Sequence, residues 1–133
     1  MKIIKFKSST PAGDLLSMLA GIKNVCEDLD AKAIIYQRLG MVGVGYSGAV
    51  HPFKNENGDE VCMNEYMFNA LKPLLIKLEY IEDFIIYTGQ EYEYDLDKGR
   101  MEIFTNMPLG SINRWIFHVF PQMSCDLSQK WID

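Results

Sequence analysis

The sequence predicts an α/β domain, a Rossmann-like parallel sheet with helices on both faces and a glycine-rich hairpin insert. Three observations carry this expectation. Apolar runs of strand length lie at 3–6, 33–36 and 84–87. Apolar residues at helical spacing fill the intervals between them. Small and turn-forming residues stand at the junctions.

The first run, Ile3-Ile4-Lys5-Phe6, reads as a short strand, and Ser8-Ser9-Thr10-Pro11-Ala12-Gly13-Asp14 follows as a loop. Leu15, Met18, Leu19, Ile22, Val25 and Cys26 then share one helical face, which predicts a helix from near Asp14 to about Asp28. Ala33-Ile34-Ile35-Tyr36 is the second strand, and the three elements together make a right-handed βαβ unit. Residues 39–62 are rich in glycine and contain Pro52. Within them Asn57-Gly58 predicts a tight hairpin turn, because both residues tolerate positive φ.

A second helix is expected from near Asn64, with Met63, Met67, Ala70, Leu71, Leu74 and Leu78 as its apolar stripe. Pro73 predicts a kink or break near Lys72. Asp83-Phe84-Ile85-Ile86-Tyr87 is the third strand. All three strands are short apolar runs suited to burial on both faces, so they are expected to be central and adjacent. Tyr92, Tyr94 and Leu96 alternate with acids as a short strand would, and Ser111 can cap a last helix that Pro121 stops.

A chain of 133 residues, 48% hydrophobic and 23% charged, has the size and mix of one globular domain spanning 1–133. Its net charge of -5 gains nothing from a phosphate backbone, which disfavours nucleic-acid binding. No apolar run is long enough to span a membrane, and the charged start does not suit a signal peptide. Cys26, Cys62 and Cys125 are far apart and form no close metal-ligand pair, so they read as reduced cytoplasmic thiols.

Gly43-Val44-Gly45-Tyr46-Ser47-Gly48 has the letters of a dinucleotide fingerprint but not its setting. That motif joins a first strand to a helix, and Ala49-Val50-His51-Pro52-Phe53 is no helix start. No nicotinamide or flavin cofactor is expected there. His51 and His118 are too separated to act as a ligand pair, and Asp95 and Asp97 with Arg100 read as a solvated or structural cluster.

Pro11-Ala12-Gly13-Asp14 lies outside the carboxyl end of the first strand, where open α/β sheets bind ligands. Small side chains there let a substrate approach the backbone, and Gly13 permits a turn closed to bulkier residues. Asp14 has two readings. It can satisfy free N–H groups in the first helical turn, which favour its ionised form, or it can act as a general base towards a sugar hydroxyl.

The opening Lys5-Phe6-Lys7, Ala12-Gly13-Asp14, the helix after them and the strand at 33–36 resemble the N-terminal end of heptosyltransferase-type enzymes. More of the chain resembles a phage- and bacterium-encoded group of glycosyltransferase-like proteins. The segments concerned are Ile35-Tyr36-Gln37-Arg38, His51-Pro52, Met63-Asn64-Glu65-Tyr66-Met67-Phe68, Leu71-Lys72-Pro73-Leu74, Asp126-Leu127-Ser128 and Trp131. The resemblance implies the acceptor-side half of a two-domain GT-B architecture, with Asp14 as base and an open cleft lined by Ser8, Ser9, Thr10 and Gly13. It implies a nucleotide-sugar donor held mostly by a second half, a glycan-type acceptor and no metal. Asp95-Leu96-Asp97 is the triplet that would suit a metal-using variant. Without a second half the domain would be inactive alone, and exposed apolar surface, including Trp131 and Ile132, would favour a homodimer. A non-catalytic module that binds a nucleotide, a sugar or a protein is the competing expectation.

Overall fold

A computed structural model describes residues 1–42 and 53–98. In chain order its elements are β1 (Lys2–Ser8), α1 (Ala12–Asp28), β2 (Ala31–Gln37), β3 (Phe53–Lys54), β4 (Glu60–Val61), α2 (Glu65–Leu75), β5 (Ile81–Ile86) and β6 (Tyr94–Asp95). The main sheet has the order β5-β2-β1-β6, and every pair in it is parallel. A small α/β domain is therefore what these residues build, as the interleaved strand and helix patterns require.

Register explains the core. Ile4 pairs with Ala33 and Phe6 with Ile35, and Ile35 pairs with Phe84, so these five side chains share one face. A bulge between Ala33 and Ile34 lets Ile81 reach that face as well, although it lies three residues before Phe84. All six predicted positions of α1, from Leu15 to Cys26, are buried against it. From α2, Phe68 stacks on Phe84 with ring centroids 4.5 Å apart.

Both described helices thus bury against the same face, where helices on both faces were expected. The strand order supplies the reason. From β1 to β2 to β5 the chain steps in one direction, and right-handed crossovers made in one direction place their helices on one side. The other face carries Ile3, Lys5, Lys7, Ile34 and Ile85, all half-buried, with Tyr36 more deeply covered. Among the described residues, β1 and β2 of the three predicted strands are interior and β5 is the outer one beside β2, with Glu82 exposed.

The stripe expected for the second helix holds at Met63, Leu71 and Leu78, with Met67 packed against the core, and fails at Ala70 and Leu74. The Asn64 side chain accepts from Met67 N at 3.0 Å and starts the helix, whose buried positions are Phe68, Leu71 and Leu75. Ala70 and Leu74 face outward, because the aromatic stack fixes the rotation of α2. Pro73 does not break it. The helix continues to Leu75, and Ile76 N still reaches Lys72 O at 3.0 Å. Pro73 removes one ladder bond, the one its missing N–H would have made to Asn69 O, and the helix closes two residues later.

β3 and β4 form the expected hairpin, but only Gly58 in its turn has positive φ, at 84°. Asn55 shapes the turn. Its Oδ1 accepts from the N–H of both Asn57 and Asp59, and its carbonyl accepts from Gly58 N. The glycine run 43–48, His51, Pro52, Arg100, Ser111, His118, Cys125, Trp131 and Ile132 lie outside the described residues.

Candidate functional site

β1 stands where the strand order reverses: β2 and β5 lie to one side of it and β6 to the other. Open α/β sheets take ligands outside the carboxyl ends of the strands at such a point. Here that place is built from the end of β1, the loop Ser9-Thr10-Pro11, the start of α1, Gln37 at the end of β2 and residues 94–97.

The loop residues are fixed by one another. Ser8 Oγ and Thr10 Oγ1 share a hydrogen bond of 2.8 Å, and Thr10 N donates to Ser8 Oγ at 3.1 Å. Gln37 Nε2 donates to Thr10 O and to Arg38 O. Arg38 N donates to Ser8 O at 2.7 Å. Ser9 N donates to Asp97 Oδ1 at 2.7 Å, while Asp97 Oδ2 accepts from Lys7 Nζ at 2.7 Å. Asp97 N in turn donates to Asp95 Oδ1, which is 3.9 Å from Lys7 Nζ.

The electrostatics follow from this packing. Burial pushes the Asp95 carboxyl above its ordinary 3.8, and the neighbouring Asp97 charge adds to that. The Asp97 N–H and the Lys7 and Lys98 charges offset only part of it. Burial alone would lower Lys7, but its bond to Asp97 and the charges of Asp97 and Asp95 leave it above its ordinary 10.5.

Ser8, Ser9 and Thr10 were expected to line an open cleft, and all three are instead buried, at 0%, 3% and 1% exposure. A loop that turns a strand directly into a helix must satisfy its own backbone groups, and Ser8 Oγ does so by accepting from Thr10 N while Thr10 Oγ1 bonds to it in turn. The open ground is one turn further on. Gly13 is exposed, and a Cβ added there would meet nothing within 4 Å. Gly13 is helical and is not one of the described glycines with positive φ, so its value is bare backbone rather than a special turn. Asp14 is half-buried in the first turn of a helix that starts two residues before it, at Ala12, with Pro11 as N-cap.

Gln37, Lys7 and the link from Asp97 to Ser9 N carry no clear motif in the sequence. A polar residue closing the apolar run Ile34-Ile35-Tyr36-Gln37 was the available signal for Gln37. Asp97 belongs to a structural cluster, one of the two forms expected for it. Among the described residues no three or more His, Cys, Asp or Glu side chains are placed to hold a metal. No described helix is long and apolar enough to cross a membrane. Compared with protein-family models, with curated proteins and with solved structures, the chain matches none.

Proposed function

We propose that this chain binds a hydroxyl-bearing ligand at the carboxyl end of β1, as the acceptor-side part of a glycosyltransferase does. In that reading Asp14 accepts the proton of the attacking hydroxyl. The observation that supports it most is the pairing of an exposed, side-chain-free Gly13 with a half-buried Asp14 at the point of strand reversal. A sugar ring can approach the backbone at Gly13 while one of its hydroxyls meets the carboxylate. A carboxylate can serve as base when the hydroxyl loses its proton late, as the bond to the leaving phosphate breaks. The donor's leaving group would be held by a second half, so the domain alone would turn over little.

A second reading is a binding module without catalysis. It is favoured by the burial of Ser8, Ser9 and Thr10, and by the hydrogen bonds that Ser8 Oγ and Thr10 Oγ1 spend within the loop. One experiment separates the two. Glucose, galactose and UDP-glucose are titrated into the domain and into Asp14→Asn, and transfer is assayed in a chain that carries both halves. The transferase reading predicts that Asp14→Asn cuts turnover by roughly 10²–10⁴-fold with donor affinity unchanged. Parental turnover in Asp14→Asn overturns the catalytic role and leaves the binding module.

A further inference from the structure

Asp97 holds a position at the carboxyl end of β1 that suits a ligand's anion. Its two oxygens take one main-chain N–H from the β1–α1 loop and one lysine ammonium, each at 2.7 Å. Such a donor pair is how proteins grip phosphate oxygens. A carboxylate has only two oxygens to offer, and a buried hydroxyl on the same loop is left without a partner. Ser9 Oγ, on the residue whose N–H holds the carboxylate, is 3% exposed and has no hydrogen-bond partner among the described residues. A buried hydroxyl in that state is costly and calls for an explanation.

The segment carrying Asp97 is anchored by the buried Leu96 but pairs only briefly with the sheet. β6 pairs with β1 over two residues only, Phe6 with Tyr94 and Lys7 with Asp95. Two backbone bonds flank that pairing, Glu93 N to Lys5 O and Leu96 N to Lys7 O. The Asp95 carboxylate beside Asp97 repels it once both are charged.

We propose that Lys7 Nζ, Ser9 N–H and Ser9 Oγ form a site for the phosphate group of a small phosphorylated ligand, with Asp97 as a built-in competitor that the ligand displaces. A phosphate brings the third oxygen that Ser9 Oγ lacks. This rests on the carboxyl end of β1 being the ligand site, but not on sugar transfer or on Asp14.

Inorganic phosphate is the probe, with chloride at matched ionic strength as control. Asp97→Ala should bind phosphate about tenfold or more tighter than the parent, the scale of charge-assisted hydrogen bonds freed from an internal rival. Adding Lys7→Met to Asp97→Ala should abolish the gain. In the parent, phosphate should move the Ser9 amide resonance, a measurement that needs no variant to fold. An unmoved Ser9 amide, or a folded Asp97→Ala that binds phosphate no better than the parent, overturns the proposal. Neutral sugars binding near Asp14 while phosphate fails would overturn this inference alone and leave the proposed function standing.

Discussion

The two ends of the sheet handle polar groups in opposite ways. At the carboxyl end Ser8, Ser9, Thr10 and Gln37 are all buried, and Lys7 and Asp97 are joined with side chains 13% and 14% exposed. At the amino end Lys23, Glu27, Asp30, Lys32 and Glu79 surround an open cavity of about 340 Å³. Charges there pair loosely, Lys23 with Glu27 at 3.8 Å and Lys32 with the exposed Glu82 at 3.9 Å. Desolvation makes the difference. A polar network out of water is costly to break, whereas solvated pairs exchange water for each other at little gain. Polarity alone therefore does not mark a site in this fold, and the buried, organised end is the informative one.

The comparison breaks most visibly if Asp97 proves dispensable. Asp97→Ala removes the bond to Ser9 N and strands a mostly buried Lys7, and it should cost about 2–4 kcal/mol in urea unfolding. Lys32→Ala at the other end should cost less than about 1 kcal/mol. Equal losses would mean that burial does not separate the two ends.

A smaller effect sharpens the site. Gly13→Ala places a methyl in open space on a helix and should stabilise the fold by about 0.4–1 kcal/mol. If sugars approach the backbone there, the same variant should bind them more weakly. A stabilised variant with unchanged sugar binding would move the contact away from Gly13.

Acid titration tests the network's electrostatics. The folded state holds the Asp95 proton more tightly than the unfolded state, so Asp95 lowers stability as pH rises from 3.8 through its raised folded value. Asp95→Asn keeps the acceptor for Asp97 N and loses that cost. It should match or exceed the parent in stability at neutral pH, and the difference should vanish below pH 3.8. Lys7 acts at the other limit. Its raised value adds stability below 10.5 that fades as pH rises through the folded value, and Lys7→Met should lack this alkaline decline.

The smallest effect belongs to the amino end. Burial and the Glu27 charge push the Cys26 thiol up to about 12, so native protein at pH ~8 should resist thiol alkylation at this residue. Rapid labelling of Cys26 without unfolding would show that the amino end opens more readily than its packing implies.

Local pattern made some of this legible and long-range pairing the rest. The βαβ opening could be read because strand length, helical spacing and a small-residue loop agree on one answer. On α2 the burial of Leu71 could be read too, but that of Phe68 could not, because its stack on Phe84 is a tertiary contact that sets the helix rotation. Near the proposed site, the position of Gly13 and Asp14 at the start of the first helix was legible from their place after the first strand. The burial of Ser8, Ser9 and Thr10 was not, since it depends on Gln37 and Asp97, which arrive from β2 and from the end of β6. Turn-forming residues look alike in sequence whether they face solvent or hold a loop together.

The most direct measurement is an amide chemical-shift map of the isotope-labelled domain titrated with glucose, galactose and UDP-glucose. Ligand binding at the carboxyl end of β1 predicts that the perturbed amides cluster at Ser9, Thr10, Gly13 and Asp14, and that Asp14→Asn diminishes the shifts caused by glucose and galactose while leaving those caused by UDP-glucose unchanged. Perturbations gathered instead around Lys23, Asp30 and Glu79, at the amino-end cavity, would contradict it.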